Sequence, residues 1–132
     1  MARITVVNHY PDFIETMTGI LDEMAGHEVI GFDVSDATLD TLTETRPQLL
    51  VLDIDTADMV LGRKATASDR AAIALGSVPM IVCSGDIAAL RERAEEFGDM
   101  SNVHMLEKPF TLEALTDVVE RALYRAALSP VA

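Results

Sequence analysis

The chain has 132 residues, 22 of them acidic and 10 basic, for a formal net charge of −12. That field repels nucleic-acid phosphates and anionic lipid surfaces, so neither is an expected partner. Hydrophobic residues at 49% with charged residues at 24% fit one folded globular domain, and the single cysteine excludes both a disulfide framework and a cysteine-based metal centre.

Strand-like apolar runs alternate with helical periodicity along the chain. The first run is Ile4 to Val7, and Pro11-Asp12 then opens a helix that places Phe13, Ile14, Met17, Ile20, Leu21 and Met24 on one face. Gly26 ends that helix, and Glu28 to Phe32 reads as the second strand. Ser35 is the expected N-cap of a helix carrying Leu39 and Leu42. Pro47 precedes the most hydrophobic strand, Leu49-Leu50-Val51-Leu52, which closes on Asp53. Residues 55 to 66 read as loop, followed by an Ala-rich helix stopping at Gly76. Pro79 to Cys83 is the fourth strand, and Asp86 caps a helix with Ile87, Leu90, Ala94 and Phe97 inward. Val103 to Leu106 is the fifth strand. Thr111 caps a final helix burying Leu112, Leu115, Val118, Val119, Ala122 and Leu123. A single domain over 1–128 with a short tail, 129–132, is expected. The opening residues do not read as a signal peptide, and no apolar run is long enough for a bilayer. A reducing cytoplasm is the expected location.

Five strands alternating with five helices imply an α/β fold with a parallel sheet covered on both faces. The flavodoxin-like strand order 2-1-3-4-5 suits that count. Such sheets carry their sites at the carboxyl ends of the strands. There this chain offers Asn8 and His9 after strand one, Asp53 after strand three, Ser84 after strand four and Lys108 after strand five. The set suits phosphoryl transfer: a carboxylate nucleophile, a cation for the transferred charge, and a hydroxyl donor.

Three segments, Leu49-Leu50-Val51-Leu52-Asp53, Ile81-Val82-Cys83-Ser84-Gly85 and Glu107-Lys108-Pro109-Phe110, occur in order on the expected strands. Together they make the chain resemble the response-regulator receiver domain of two-component signalling, from about Arg3 to Leu128. The resemblance implies that Asp53 is the phosphoacceptor, Ser84 the hydroxyl that turns toward the phosphoryl group, and Lys108 the cation beside a cis Pro109. It implies no substrate turnover. Its partners would be a sensor histidine kinase or phosphotransfer protein and a downstream protein met through the face around strand five and the last two helices, with homodimerisation left open.

The chain departs from the family pattern at two places. Receivers carry an acidic pair after strand one that binds Mg²⁺, where this chain has Asn8 and His9; imidazole is a poor Mg²⁺ ligand, so a weakened Mg²⁺ site is expected. Asp55 and Asp58 are the candidate replacement ligands, giving a metal set of Asp53, Asn8, His9 and Asp55. Met105 stands where the family has an aromatic switch residue, and a thioether cannot repeat that swing. The expected function is a stand-alone atypical receiver phosphorylated at Asp53. Its alternative is a phosphorylation-independent pseudo-receiver that acts only by docking. A remote one is a haloacid-dehalogenase-like phosphohydrolase using Asp53 and Asp55, because Asp53-Ile54-Asp55-Thr56 resembles that family's nucleophile loop. Plainer roles are a structural Lys108–Asp53 ion pair, a solvent-facing His9, a core Cys83, and an Arg63-Lys64 pair that is simply solvated.

Overall fold

A computed structural model describes residues 2–24, 26–64, 78–86, 88, 91–92 and 102–128. Five strands form one sheet: β1 (Arg3–Asn8), β2 (Glu28–Asp33), β3 (Leu49–Asp53), β4 (Met80–Ser84) and β5 (Val103–Glu107). Their order is β2-β1-β3-β4-β5 and every pairing is parallel, which is the expected topology. The β3 register, with Leu50 beside Met80 and Asp53 beside Cys83, sets the site residue next to the floor of the neighbouring strand.

The alternation of side chains along a strand splits the apolar residues between two cores. Ile4, Val6, Leu49, Val51, Ile81 and Cys83 face one core, closed by Met17 and Leu21 and by Leu115, Val119 and Ala122. Those covering residues come from α1 (Pro11–Thr18) with its continuation, and from α4 (Leu112–Leu128). Val7, Leu50, Leu52, Met80 and Val82 face the other core, under Leu39 and Leu42 of α2 (Leu39–Glu44) and Ala57 and Val60 of α3 (Ile54–Lys64). The central strand β3 is buried at all five positions because both its faces are covered.

Local chemistry explains the element ends, including three departures from the sequence reading. The first helix continues past Thr18 as a wider π turn over Gly19–Met24, and Gly26 takes the left-handed conformation (φ 72°) that terminates it. Gly31 on β2 admits the Ile14 side chain of α1, which a Cβ there would meet. Ser35 is not a cap. It sits in a 3₁₀ turn over Val34–Asp36, its N–H donating to the Asp33 carboxylate. The α2 cap is Thr38, whose Oγ1 accepts the Thr41 N–H while the Thr38 N–H donates to Thr41 Oγ1. The stretch from Asp55 read as loop is instead α3, which starts directly after β3. Asp55 in its first turn complements the helix dipole, and Ala57 and Val60, three apart, supply the buried face.

Thr111 caps α4 as expected, accepting the Ala114 N–H at 3.0 Å. Leu112, expected in the core, is 40% exposed at the start of that helix. The expected Ala-rich helix ending at Gly76, and Ile87, Leu90, Ala94 and Phe97, lie outside the described residues.

Candidate functional site at the carboxyl edge of the sheet

Asp53 ends β3 and is only 6% exposed. Neither carboxylate oxygen has a hydrogen-bond partner. A buried, unsatisfied acceptor costs roughly 1–3 kcal/mol, and more when charged, so the fold leaves this carboxylate available to ordered water or to a ligand. Among the described residues its ion-pair partner is His9, whose Nε2 lies 3.4 Å from Asp53 Oδ2. It lies equally far, 3.4 Å, from Asp55 Oδ2. These separations are long for hydrogen bonds, and the His9 and Asp55 side chains are 53% and 71% exposed.

β1 brings Asn8 and His9 to the same edge but turns them differently. Asn8 is buried, and its Oδ1 accepts the Tyr10 N–H at 3.0 Å, closing the turn into α1. His9 projects outward over Asp53 and Asp55. His9, Asp53 and Asp55 each offer one ligand atom, and these atoms lie within 4.8 Å of one another.

Ser84 ends β4 half-buried, and its Oγ accepts the Asp86 N–H at 3.0 Å. Lys108 follows β5, with its backbone N–H donating to the Ser84 carbonyl at 2.8 Å, which ties the two strand ends together. The Lys108–Pro109 peptide bond is cis. Lys108 makes no ion pair with Asp53 among the described residues. Its Nζ sits 4.3 Å above the centre of the Phe13 ring, and Phe13 meets Phe110 edge-on at 6.1 Å. The Lys108 and Asp53 charges still both act on Cys83, the one lowering and the other raising its pKa. Burial dominates there and pushes that thiol up to about 12, so Cys83 is an inert core residue.

Two side chains of this edge are placed in ways the sequence does not indicate. Phe13 was placed only on a buried helix face, yet it also seats the Lys108 ammonium. Thr56, in the first turn of α3, is 3% exposed with an Oγ1 that makes no hydrogen bond. Met105 is 41% exposed on β5. The side chains of Asp58, Arg63 and Lys64 lie outside the described residues.

No family model matches the sequence, and no curated protein matches it. Solved structures do. NtrX from Brucella abortus in complex with ATP is 28% identical with a TM-score of 0.74, the match covering 96% of this chain and 27% of that one. The fold is that of a response-regulator receiver domain. A receiver domain protein from Clostridium thermocellum aligns at a TM-score of 0.73 and 20% identity, covering 97% of this chain and 98% of its own. The chemotaxis protein CheY4 of Vibrio cholerae aligns at 0.73 and 18%, covering 92% and 98%. This receiver-fold chain thus spans whole receiver proteins but only about a quarter of the NtrX chain it matches. None of its described helices is long and apolar enough to cross a membrane.

The receiver fold implies Mg²⁺ at this edge, and the donor set can be tested against that ion. Mg²⁺ demands near-octahedral oxygen ligands at about 2.0–2.1 Å. Here a nitrogen occupies one donor position and the Asn8 amide oxygen is already engaged by the Tyr10 N–H. Asp53 and Asp55 still offer two carboxylate oxygens, and Mg²⁺ is commonly held by one or two carboxylates with water in its other positions, so the set fits Mg²⁺, but weakly for want of the further acidic ligands.

Proposed function

We propose that this receiver-fold chain is an atypical phosphoreceiver: Asp53 accepts a phosphoryl group, and the modified domain signals by docking to another protein. The observation that carries this reading is the Asp53 carboxylate, buried at a strand end with neither oxygen hydrogen-bonded and only the half-exposed His9 ring beside it. A carboxylate held that way is desolvated, aimed out of the sheet edge, and unspent on structure.

The donor class is a phosphohistidine on a sensor kinase or phosphotransfer protein, or a small acyl phosphate. An Asp53 oxygen lone pair forms the new O–P bond as the P–N bond to the donor imidazole breaks. The bonding pair returns to that nitrogen, which takes a proton from water, and Asp53 is left as an acyl phosphate. Charge on the transferred group needs a cation. Lys108 supplies one by swinging off the Phe13 ring, a cation–π contact worth roughly 0.5–1 kcal/mol at an exposed site and so readily exchanged. Ser84 Oγ, released from Asp86, donates to a phosphoryl oxygen. No step requires turnover of a substrate, in keeping with a signalling module of the cytoplasm.

Readout here cannot use an aromatic swing at residue 105. A half-exposed Met105 is a soft, adaptable apolar contact, which suits a docking surface around β5 and α4. A phosphorylation-independent docking module is the second reading, favoured by the engagement of the Asn8 amide in a structural turn.

Intact-protein mass after incubation with acetyl phosphate separates the two. The proposal requires a single phosphoryl adduct on the wild type and none on Asp53→Asn. Absence of an adduct from both acetyl phosphate and a cognate kinase, with partner binding unchanged in Asp53→Asn, establishes the docking module instead.

A further inference from the structure

A cavity of about 630 Å³ opens where the π turn over Gly19–Met24, His27 and α4 come together. None of its lining residues belongs to the strand-end cluster around Asp53. We infer that this cavity binds a small organic cation, an ammonium group carried on an apolar body. The inference does not rest on Asp53 or on its phosphorylation.

Three observations converge. One is size and floor. The volume falls in the range of about 300–1,000 Å³ usual for small-molecule sites. Leu21 and Val119 are buried beneath it, Leu123 is partly buried, and Leu112 offers open apolar surface to an occupant. The second is charge. Glu113 and Glu120 stand exposed at the rim, neither in an ion pair among the described residues, and no Lys or Arg lines the cavity. A net charge of −12 extends the same attraction beyond the cavity. The third is the set of hydrogen-bonding groups. Thr116 Oγ1 spends its proton on the Leu112 and Glu113 carbonyls at 3.1 Å, so toward a ligand it only accepts, as the two carboxylates do. The His27 Nδ1 accepts the Ala2 N–H at 3.0 Å, which keeps the ring neutral and adds no positive charge to the wall. A wall of acceptors over an apolar floor complements an ammonium group, which only donates.

The scaffold fixes this wall in place. π turns are rare, and those that occur are frequent at functional sites; this one carries Leu21. Gly26 in its left-handed conformation turns the chain back, so that the His27 N–H donates to the Leu21 carbonyl at 2.9 Å. His27 is thereby held by its backbone as well as by its ring. Glu113 and Glu120 are two turns apart on α4, about 10 Å along its axis, with Thr116 between them. An apolar body lying along α4 therefore reaches a carboxylate at either end. The competing occupant is a second copy of the chain. Seated on the same face about a two-fold axis, it would bring the same acidic side chains together, and like charges opposed across an interface are unfavourable.

The test is an NMR titration of the ¹⁵N-labelled full chain at neutral pH with hexylamine, hexan-1-ol and hexanoate, three probes sharing one apolar body. Hexylamine should shift the amide signals of Leu21, His27, Val119 and Leu123 saturably. It should bind more tightly than hexan-1-ol by roughly 2–5-fold for each carboxylate engaged, the worth of an exposed ion pair, and hexanoate should bind most weakly. Glu113 and Glu120 are exposed, so Glu113→Gln with Glu120→Gln keeps the fold. The double variant should lose the preference for the amine while still binding hexan-1-ol as the wild type does. Leu112→Ser should weaken amine and alcohol alike. Equal binding of amine and alcohol by the wild type overturns the inference, as does a preference that survives in the double variant or the lack of any saturable shift at these residues. The same signals shifting on simple concentration of the chain, without amine, would assign the cavity to a second copy and likewise overturn it.

Discussion

Replacing Asp53 by Ala should stabilise the metal-free protein. The carboxylate is 6% exposed and both of its oxygens lack partners, a burial penalty of roughly 1–3 kcal/mol that alanine abolishes. Against that stands the His9 interaction at 3.4 Å, limited to about 1 kcal/mol or less because the imidazole is half exposed. The Cβ and its packing survive, so little apolar burial is lost. The net is a gain of up to about 2 kcal/mol, or a rise in Tm of up to about 10 °C for a domain of this size. Urea denaturation at pH 7 in EDTA, followed by far-UV circular dichroism, reads this as a higher midpoint at unchanged slope. Chelation matters, since a bound ion would stabilise only the wild type by mass action. A lower midpoint would mean the carboxylate is a structural group satisfied within the fold, and its availability to a ligand would be refuted. Stability surrendered at a working site and recovered on its removal is the usual trade-off.

Three further outcomes follow from the same geometry. Thr38→Ala removes the acceptor for the Thr41 N–H and half of the reciprocal cap on α2, and should cost about 1 kcal/mol by urea denaturation, whereas Ser35→Ala should cost nothing measurable. Cys83, with its pKa pushed up to about 12 by burial, should resist a thiol reagent at pH 8 in the native state and react promptly in 6 M guanidinium; rapid native labelling would contradict its placement. His27 has its pKa held below the usual 6.5, first by burial, then by the positive amino terminus, with Glu120 opposing. Its Nδ1 also accepts the Ala2 N–H at 3.0 Å, a bond only the neutral ring can make. The folded state therefore binds fewer protons than the unfolded one between the depressed pKa and 6.5. Stability is full above pH 6.5 and falls as the pH drops through that window, and His27→Gln should flatten the decline. An unchanged pH profile in His27→Gln would refute that assignment.

How far the sequence spoke for the structure depended on the kind of signal each element carries. The strands were legible because short β-branched runs stop abruptly at polar residues, and parallel order followed from the alternation with helices. α3 was misread because Asp53-Ile54-Asp55-Thr56-Ala57-Asp58 looks like a polar connection. Its helical signal is an acidic first turn with Ala57 and Val60 three apart, weak beside the charge that precedes it. Ser35 and Thr38 are equally good caps by residue type, and the deciding partner, Thr41, is a Thr where the usual box has Glu or Gln. Leu112 followed the helical period yet opens to solvent in the first turn of α4.

At the site, strand ends fixed which residues gather, but not how they face. The reading of His9 as solvent-facing matches its exposed ring over two carboxylates, whereas nothing in the sequence showed that Asn8 turns inward to close a backbone turn. Nor did it show that Lys108 rests on Phe13 rather than against Asp53, since a ring on a helix face reads only as core.

The most direct test of the account traps the phosphoryl group where it lands. The acetyl phosphate-treated protein is reduced with borohydride, which converts an acyl phosphate of Asp to homoserine, and the peptides are sequenced by mass spectrometry. The account predicts homoserine at position 53 and nowhere else. Homoserine at position 55, or a fully phosphorylated protein with residue 53 intact, would contradict it.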